Sequence, residues 1–281
     1  MERFFKYALL VVCAAVCACT SSKDVAGAYF DGITNGDKTK KTERIYVCLP
    51  TEVIHTNQTL NQMDNFMRLS EKLQDSIIKA DTRFLNLLDD DKFIDNFAKN
   101  LVYHLERFGI PVTIVFNESE LPQPMNGKIF TMNIVQIEAE EFLKQSRSEF
   151  TENDGTYYHY DYKLNGFSTN IWCKFSGGTD VYYKNFEVMD VFEGKIDKIQ
   201  NKQASISGRF NRITMNDVYN TALRAGKTSA VLFAEKIIND YVKQQGYNDG
   251  YFVYLPEANE IIKASSVYGE SPRNFKKLKE N

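Results

Sequence analysis

Along this 281-residue chain the spacing of apolar residues changes several times, and each change marks an element. Residues 7–18 are apolar or small without any period, after a cationic start at Arg3 and Lys6. At 44–50 alternation sets in: Ile45, Val47 and Leu49 share one face and Pro50 closes the run, which predicts a core strand. From Thr59 the step becomes three and four, and Leu60, Met63, Phe66, Met67, Ser70, Leu73 and Ile77 predict an amphipathic helix. A second stripe through Phe93, Phe97, Leu101, Leu105 and Phe108 predicts another helix. Asp89, Asp90 and Asp91 place carboxylates at its positive end, and Gly109 followed by Pro111 stops it. Residues 111–116 are β-branched and read as a returning strand.

After a Pro- and Gly-containing loop at 117–127, residues 128–138 alternate with apolar groups on both faces, which predicts a central strand. Its continuation, 139–148, fits either a helix or the end of that strand. Aromatic-rich strands follow at 156–164, 167–175 and 180–192. Asn165-Gly166 and Gly177-Gly178 supply the positive φ of tight turns, giving a three-stranded meander. Asn165-Gly166 also fits a bulge in one long strand. Residues 193–212 are polar with room for one more edge strand. Thr214 with Asp217 forms a helix start, and Val218, Ala222, Ala225, Ser229, Leu232, Phe233, Ile237 and Tyr241 line a long helix that Gly246 ends. A short strand at 251–255 precedes a polar, basic tail. The pattern predicts a mixed α/β fold of the α+β class, a largely antiparallel sheet with long amphipathic helices packed on one face.

The N-terminal run has the layout of a secretory signal and is too short to span a bilayer. It ends at Val16-Cys17-Ala18-Cys19, with a small residue before Cys19 and a polar stretch after it. This junction resembles the lipobox of bacterial lipoproteins, and the resemblance implies acylation of Cys19 as the first mature residue. Cys13 and Cys17 follow valines and fit less well. Thr20, where the family pattern places Asp for inner-membrane retention, leans towards the outer membrane of a Gram-negative cell. The expected organisation is a signal peptide at 1–18, a lipidated flexible tether at 19–42, one domain at 43–256 with a helical insertion at 56–90, and a mobile C-terminal tail at 257–281.

Composition adds little to this. A hydrophobic share of 43% with 25% charged residues is ordinary for a globular chain. The net charge of −3 gives no basic face for nucleic acid. Export leaves Cys48 and Cys173 in an oxidising setting, as a possible disulfide or, the preferred reading, as two buried free thiols. The 16 Tyr and 20 Phe against one Trp are the one excess, and Tyr158, Tyr160 and Tyr162 would share a strand face able to stack on a sugar or a partner.

Most candidate chemistry fails on spacing. Gly226-Lys227-Thr228 lacks the upstream glycine and strand of a phosphate loop, so no nucleotide is expected, and Gly226 reads as a close helix contact. His55, His104 and His159 have no ligand spacing, so no metal is expected. His104 reads as a packed histidine, His55 as solvated, and His159 with Asp161 as a solvated face. Glu138, Glu140 and Glu141 do not single out an acid/base pair, and no catalytic residue or cofactor emerges.

The element order from about 44 to 245 resembles small α/β outer-membrane accessory lipoproteins, of the lipopolysaccharide-assembly and ABC-transport auxiliary kinds. The resemblance implies a non-enzymatic, lipid-anchored accessory or scaffold subunit that binds an envelope protein. The alternative is a surface-exposed glycan- or ligand-binding lipoprotein using the tyrosine face.

Overall fold

In the computed structural model the described residues are 21–35, 43–58, 68–70, 72–74, 76–77, 82–125, 127–199, 203–248, 250–264 and 275–278. Cys19, the signal segment and the stripe residues Leu60, Met63, Phe66 and Met67 therefore lie outside the described residues, whereas 72–74 and 76–77 are helical.

The chain is α+β. In order it forms α1 (Ser22–Asn35), β1 (Arg44–Cys48), β2 (Ile54–Asn57), α2 (Asp90–Phe108), β3 (Val112–Val115), β4 (Ile129–Thr151), β5 (Tyr157–Phe175) and β6 (Val181–Met189). Then come β7 (Val191–Ile199), β8 (Gln203–Asn211), α3 (Met215–Gln244), β9 (Tyr251–Leu255), β10 (Glu260–Ala264) and β11 (Lys276–Leu278). The main sheet runs β11-β6-β5-β4-β1-β3, with β2 also paired to β4. Neighbours among β4, β5, β6 and β11 pair antiparallel, while β1 pairs in parallel with β3 and β4. β4 lies in the middle of the sheet as expected, but only one of its faces is apolar and covered by the helices.

Local chemistry explains the long helices. Asp89 caps α2 by accepting from the Lys92 amide at 3.0 Å, and Gly109, at φ 105°, ends it. Thr214 and Asp217 form a complete capping box on α3. The two helices lie together because Gly226 has no side chain: a Cβ there would come within 2.2 Å of the Phe97 carbonyl oxygen. Both helices pack on one face of the sheet. Phe93 of α2 meets Phe167 edge-on, Phe233 of α3 stacks on Phe175, and Thr221 hydrogen-bonds Thr169.

Three expectations change. The segment read as a flexible tether contains α1, whose Ala26, Phe30 and Ile33 are buried; aromatic contacts of Phe30 with Phe108 and Tyr254 outweigh a composition that is polar on average. Described parts of the tail read as mobile are strands: β10 pairs with β9, and β11 with β6. Asn165-Gly166 is not a turn. β5 runs straight through it, with Gly166 opposite Phe142, and the bulge falls instead near Val135 on β4. Cys48 and Cys173 follow the preferred reading instead: they are buried free thiols with β4 between them. Two strand spacings of roughly 4.8 Å exceed the ~7 Å reach of a disulfide, so they cannot bridge.

Beyond the end of β6, residues 143–151 and 157–165 continue as a two-stranded arm of roughly 30 Å. The β7–β8 hairpin is a second arm against it. Tyr162 joins them, with ring centroids 5.1 Å from Phe192 and 5.9 Å from Phe210. At their base the buried carboxylate of Asp190 accepts from Arg212 at 2.6 Å, from the Ile213 amide at 2.9 Å and from the Asn165 side chain at 2.7 Å. Burial alone would raise its pKa; these donors hold it below the usual carboxylate range.

Candidate functional site

Side chains alternate across the sheet, so whatever faces away from α2 and α3 follows from register alone. On β4 past the bulge that face carries Glu138, Glu140 and Phe142. On β5 it carries Ser168, Asn170 and Trp172, and on β6 Tyr183, Asn185 and Glu187, opposite them in register. Thr56 of β2 lies opposite Glu140 and adds a hydroxyl at one edge.

These groups form one hydrogen-bonded array. Thr56 Oγ1 donates to Glu138 Oε1 at 2.7 Å, and Gln58 Nε2 donates to Glu140 Oε1 at 2.8 Å. Ser168 Oγ donates to Glu140 Oε2 at 3.0 Å. Asn170 is the hub and is 4% exposed. Its Nδ2 donates to Glu140 at 3.2 Å and to Glu138 at 3.4 Å, while its Oδ1 accepts from Tyr183 and Asn185, each at 2.9 Å. Both amide ends of Asn170 are thus spent on holding neighbours in place. Burial pushes the Glu138 carboxyl up, the Glu140 charge adds to this, and the Thr56 and Asn170 hydrogen bonds pull it part of the way back. Burial, then the two glutamates, raises the Tyr183 phenol.

Beside the array Trp172 and Tyr183 lie with ring centroids 4.9 Å apart and tilted by 46°. The Trp172 indole N–H donates to no described residue. The face therefore combines two carboxylates with unused lone pairs, a half-buried aromatic pair and an indole N–H without a partner among the described residues. A polyhydroxylated ring can donate hydroxyls to the carboxylates and lay its C–H face on the aromatics. The same carboxylates repel anions.

The tyrosine row shares this face of β5, since no bulge interrupts the alternation between Trp172 and Tyr158. It is not evenly presented. Tyr158 is 5% exposed and tilted against Phe150, Tyr162 is enclosed by Phe192 and Phe210, and Tyr160 is 37% exposed and stacked on Tyr162. On the other face of the arm Arg147 grips Asp161 at 2.6 and 3.2 Å, leaving His159 3.8 Å from that carboxylate.

His55, expected to be solvated, instead has its Nε2 2.8 Å from Asp90 Oδ1 at the start of α2. The partner lies 35 residues away, beyond any local pattern. His104 is packed as expected, with its Nδ1 unpaired, and burial above all lowers its pKa. Glu141 points towards the helices and accepts from the backbone amides of Arg83, Phe84 and Leu85, capping a short 3₁₀ turn. Among the described residues no group of three or more metal-ligating side chains comes together, and no helix is long and apolar enough to cross a membrane.

No known family model matches this chain, and no curated protein does. Among solved structures it is similar to a Helicobacter pylori protein described as a neuraminyllactose-binding hemagglutinin homolog. The identity is 12% and the TM-score 0.31, over 74% of this chain and 91% of that one. A likeness that slight carries neither a ligand nor a mechanism across.

Proposed function

We propose that this chain is a non-enzymatic, lipid-anchored protein of the cell envelope that binds a neutral, hydroxyl-rich ligand, a glycan, on the open face of its sheet. The lipobox-like junction at Cys19 supports the anchor and the outer-membrane placement. One observation carries the ligand class: the Asn170-centred array holds Glu138 and Glu140 beside Trp172 and Tyr183, on the face opposite α2 and α3. An ionised carboxylate makes strong, short bonds to hydroxyl donors, and the adjacent rings offer the apolar half of a sugar a surface.

A glycan array probed with the detergent-solubilised protein tests this. Neutral saccharides should be retained, and Trp172→Ala or Glu140→Gln should weaken retention at least tenfold with an unchanged circular dichroism spectrum. Retention of nothing, or equal retention by both variants, would sink the ligand reading. Tyr158→Ala with Tyr160→Ala separates the array from the arm, since only a ligand extending onto the arm would be lost.

A second reading, an accessory subunit docked on an envelope protein, is favoured by the arms. Strand β8 and the arm portions of β4 and β5 have outer edges that pair with no described strand, and such edges are templates for strand addition. Crosslinking from intact membranes distinguishes the two, because a stoichiometric protein partner at residues 143–165 would establish the second reading.

A further inference from the structure

The distance between the anchor and the folded body is fixed by the chain itself. Ser22 is 1% exposed, opens α1 and stands three positions after Cys19. Three fully extended residues span at most roughly 11 Å. Resting on the lipidation proposed above, we infer that the body sits directly on the phosphate headgroups of the bilayer through its α1 end, and that both hairpin arms point away from the membrane.

Several contacts locate that end. Lys263 Nζ of β10 donates to Ser22 Oγ at 3.1 Å, so the first turn of α1 is level with the end of β10. Tyr29 stacks on Tyr241 with centroids 3.8 Å apart, which places α1 against the last turns of α3. A cavity of about 80 Å³ is lined jointly by Tyr29, Tyr241 and Ser176, so the turn that ends β5 is there too. From that turn β5 runs 19 residues in the other direction to Tyr157, a span of roughly 60 Å. α3 confirms the direction: Phe233 meets Phe175, while Thr221, three turns nearer its start, meets Thr169. The tip of the arm is thus at the far pole from Ser22. The α1 pole presents exposed Lys23, Lys243 and Lys263, and lysines near an anionic surface add roughly 1 kcal/mol each. Asp24 keeps its charge at this pole, since the hydrogen bonds from Ser21 lower its pKa, and it offsets one of these lysines.

The test uses the full chain, exported with its own signal, purified in detergent and reconstituted into phosphatidylcholine vesicles containing phosphatidylglycerol and a headgroup-linked quencher. A fluorophore is placed at Lys263→Cys or at Asp154→Cys, the buried Cys48 and Cys173 being shielded. Quenching should at least halve the signal at 263 and leave that at 154 unchanged. A flexible Gly-Ser spacer of about 20 residues inserted between Thr20 and Ser21 should relieve quenching at 263 while the protein stays on the vesicle. Vesicle-bound protein with equal quenching at both sites, or none at 263, overturns the orientation alone. If the wild-type chain fails to sediment with vesicles, or Cys19→Ser sediments equally well, the anchor fails and the orientation with it.

Discussion

Single atoms decide two properties of the helix layer. At Gly226 a methyl group has nowhere to go, because the obstacle is the backbone of α2 rather than a flexible side chain. Gly226→Ala should therefore cost about 1–3 kcal/mol in urea unfolding. In the sequence this glycine reads as a close helix contact, and the Phe97 backbone is what it approaches. His104 makes stability sensitive to pH. Its folded pKa lies below the ordinary 6.5, so above that value neither state is protonated and the residue is neutral to stability. As pH falls through about 6.5 the unfolded chain takes up a proton that the folded chain resists, and stability declines until the folded pKa is reached. Urea midpoints at about pH 7.5 and pH 5 should differ less in His104→Gln than in the wild type. His55 was not legible in this way: nothing near it in sequence announces Asp90.

Among the elements, α2 and α3 are legible with their ends because capping is local. Asp89, Gly109, Thr214 and Asp217 do their work within one turn of themselves. β5 shows the opposite case. Asn165-Gly166 carries the strongest short hairpin signal, yet the pairing of Asn165 with Leu143 and Gly166 with Phe142 keeps the strand straight. The Phe142 ring fills the place a Cβ would take at Gly166, with atoms 2.3 Å from that position, so the glycine serves a cross-strand contact rather than a turn. Asp190 is the element-scale weak point, because its buried carboxylate gathers donors from Asn165 of the sheet, from Arg212 and from Ile213 at the start of α3. Asp190→Ala should cost about 1–3 kcal/mol by orphaning these donors, and limited proteolysis should then cut within 191–211 before the rest of the domain. Since the Asp190 pKa is depressed, its contribution is present above the usual Asp range near 4 and is lost as pH falls through the folded value.

At the scale of the molecule the sheet has two faces with different tasks. One is covered by α2 and α3 and packs against large buried side chains, among them Phe93, Phe97, Phe167 and Phe233. The other gathers Thr56, Glu138, Glu140, Ser168, Asn170, Trp172, Tyr183 and Asn185 from four strands. An affinity measurement on Asn170→Ala should show weakened saccharide binding although that side chain offers a ligand no free group, because the glutamates and Tyr183 lose their common partner. Unchanged affinity would separate the array from binding. The two poles differ as well, one bearing α1 and the other the arms, and this polarity gives a lipidated chain a defined up and down.

The sequence by itself determined where α2 and α3 begin, the α+β class, the packed state of His104, the close approach at Gly226 and the lipobox-like junction. All of these depend on side-chain period, on caps within four residues, or on a contiguous motif. Only the tertiary structure decided that α1 belongs to the core, that β5 is one strand, that the two thiols are held apart by β4, and that the open face holds a polar array. Those outcomes depend on which strands become neighbours and in what register. Glu140, Ser168, Asn170 and Asn185 are unremarkable in their own segments and acquire meaning only when cross-strand pairing sets them a few ångströms apart.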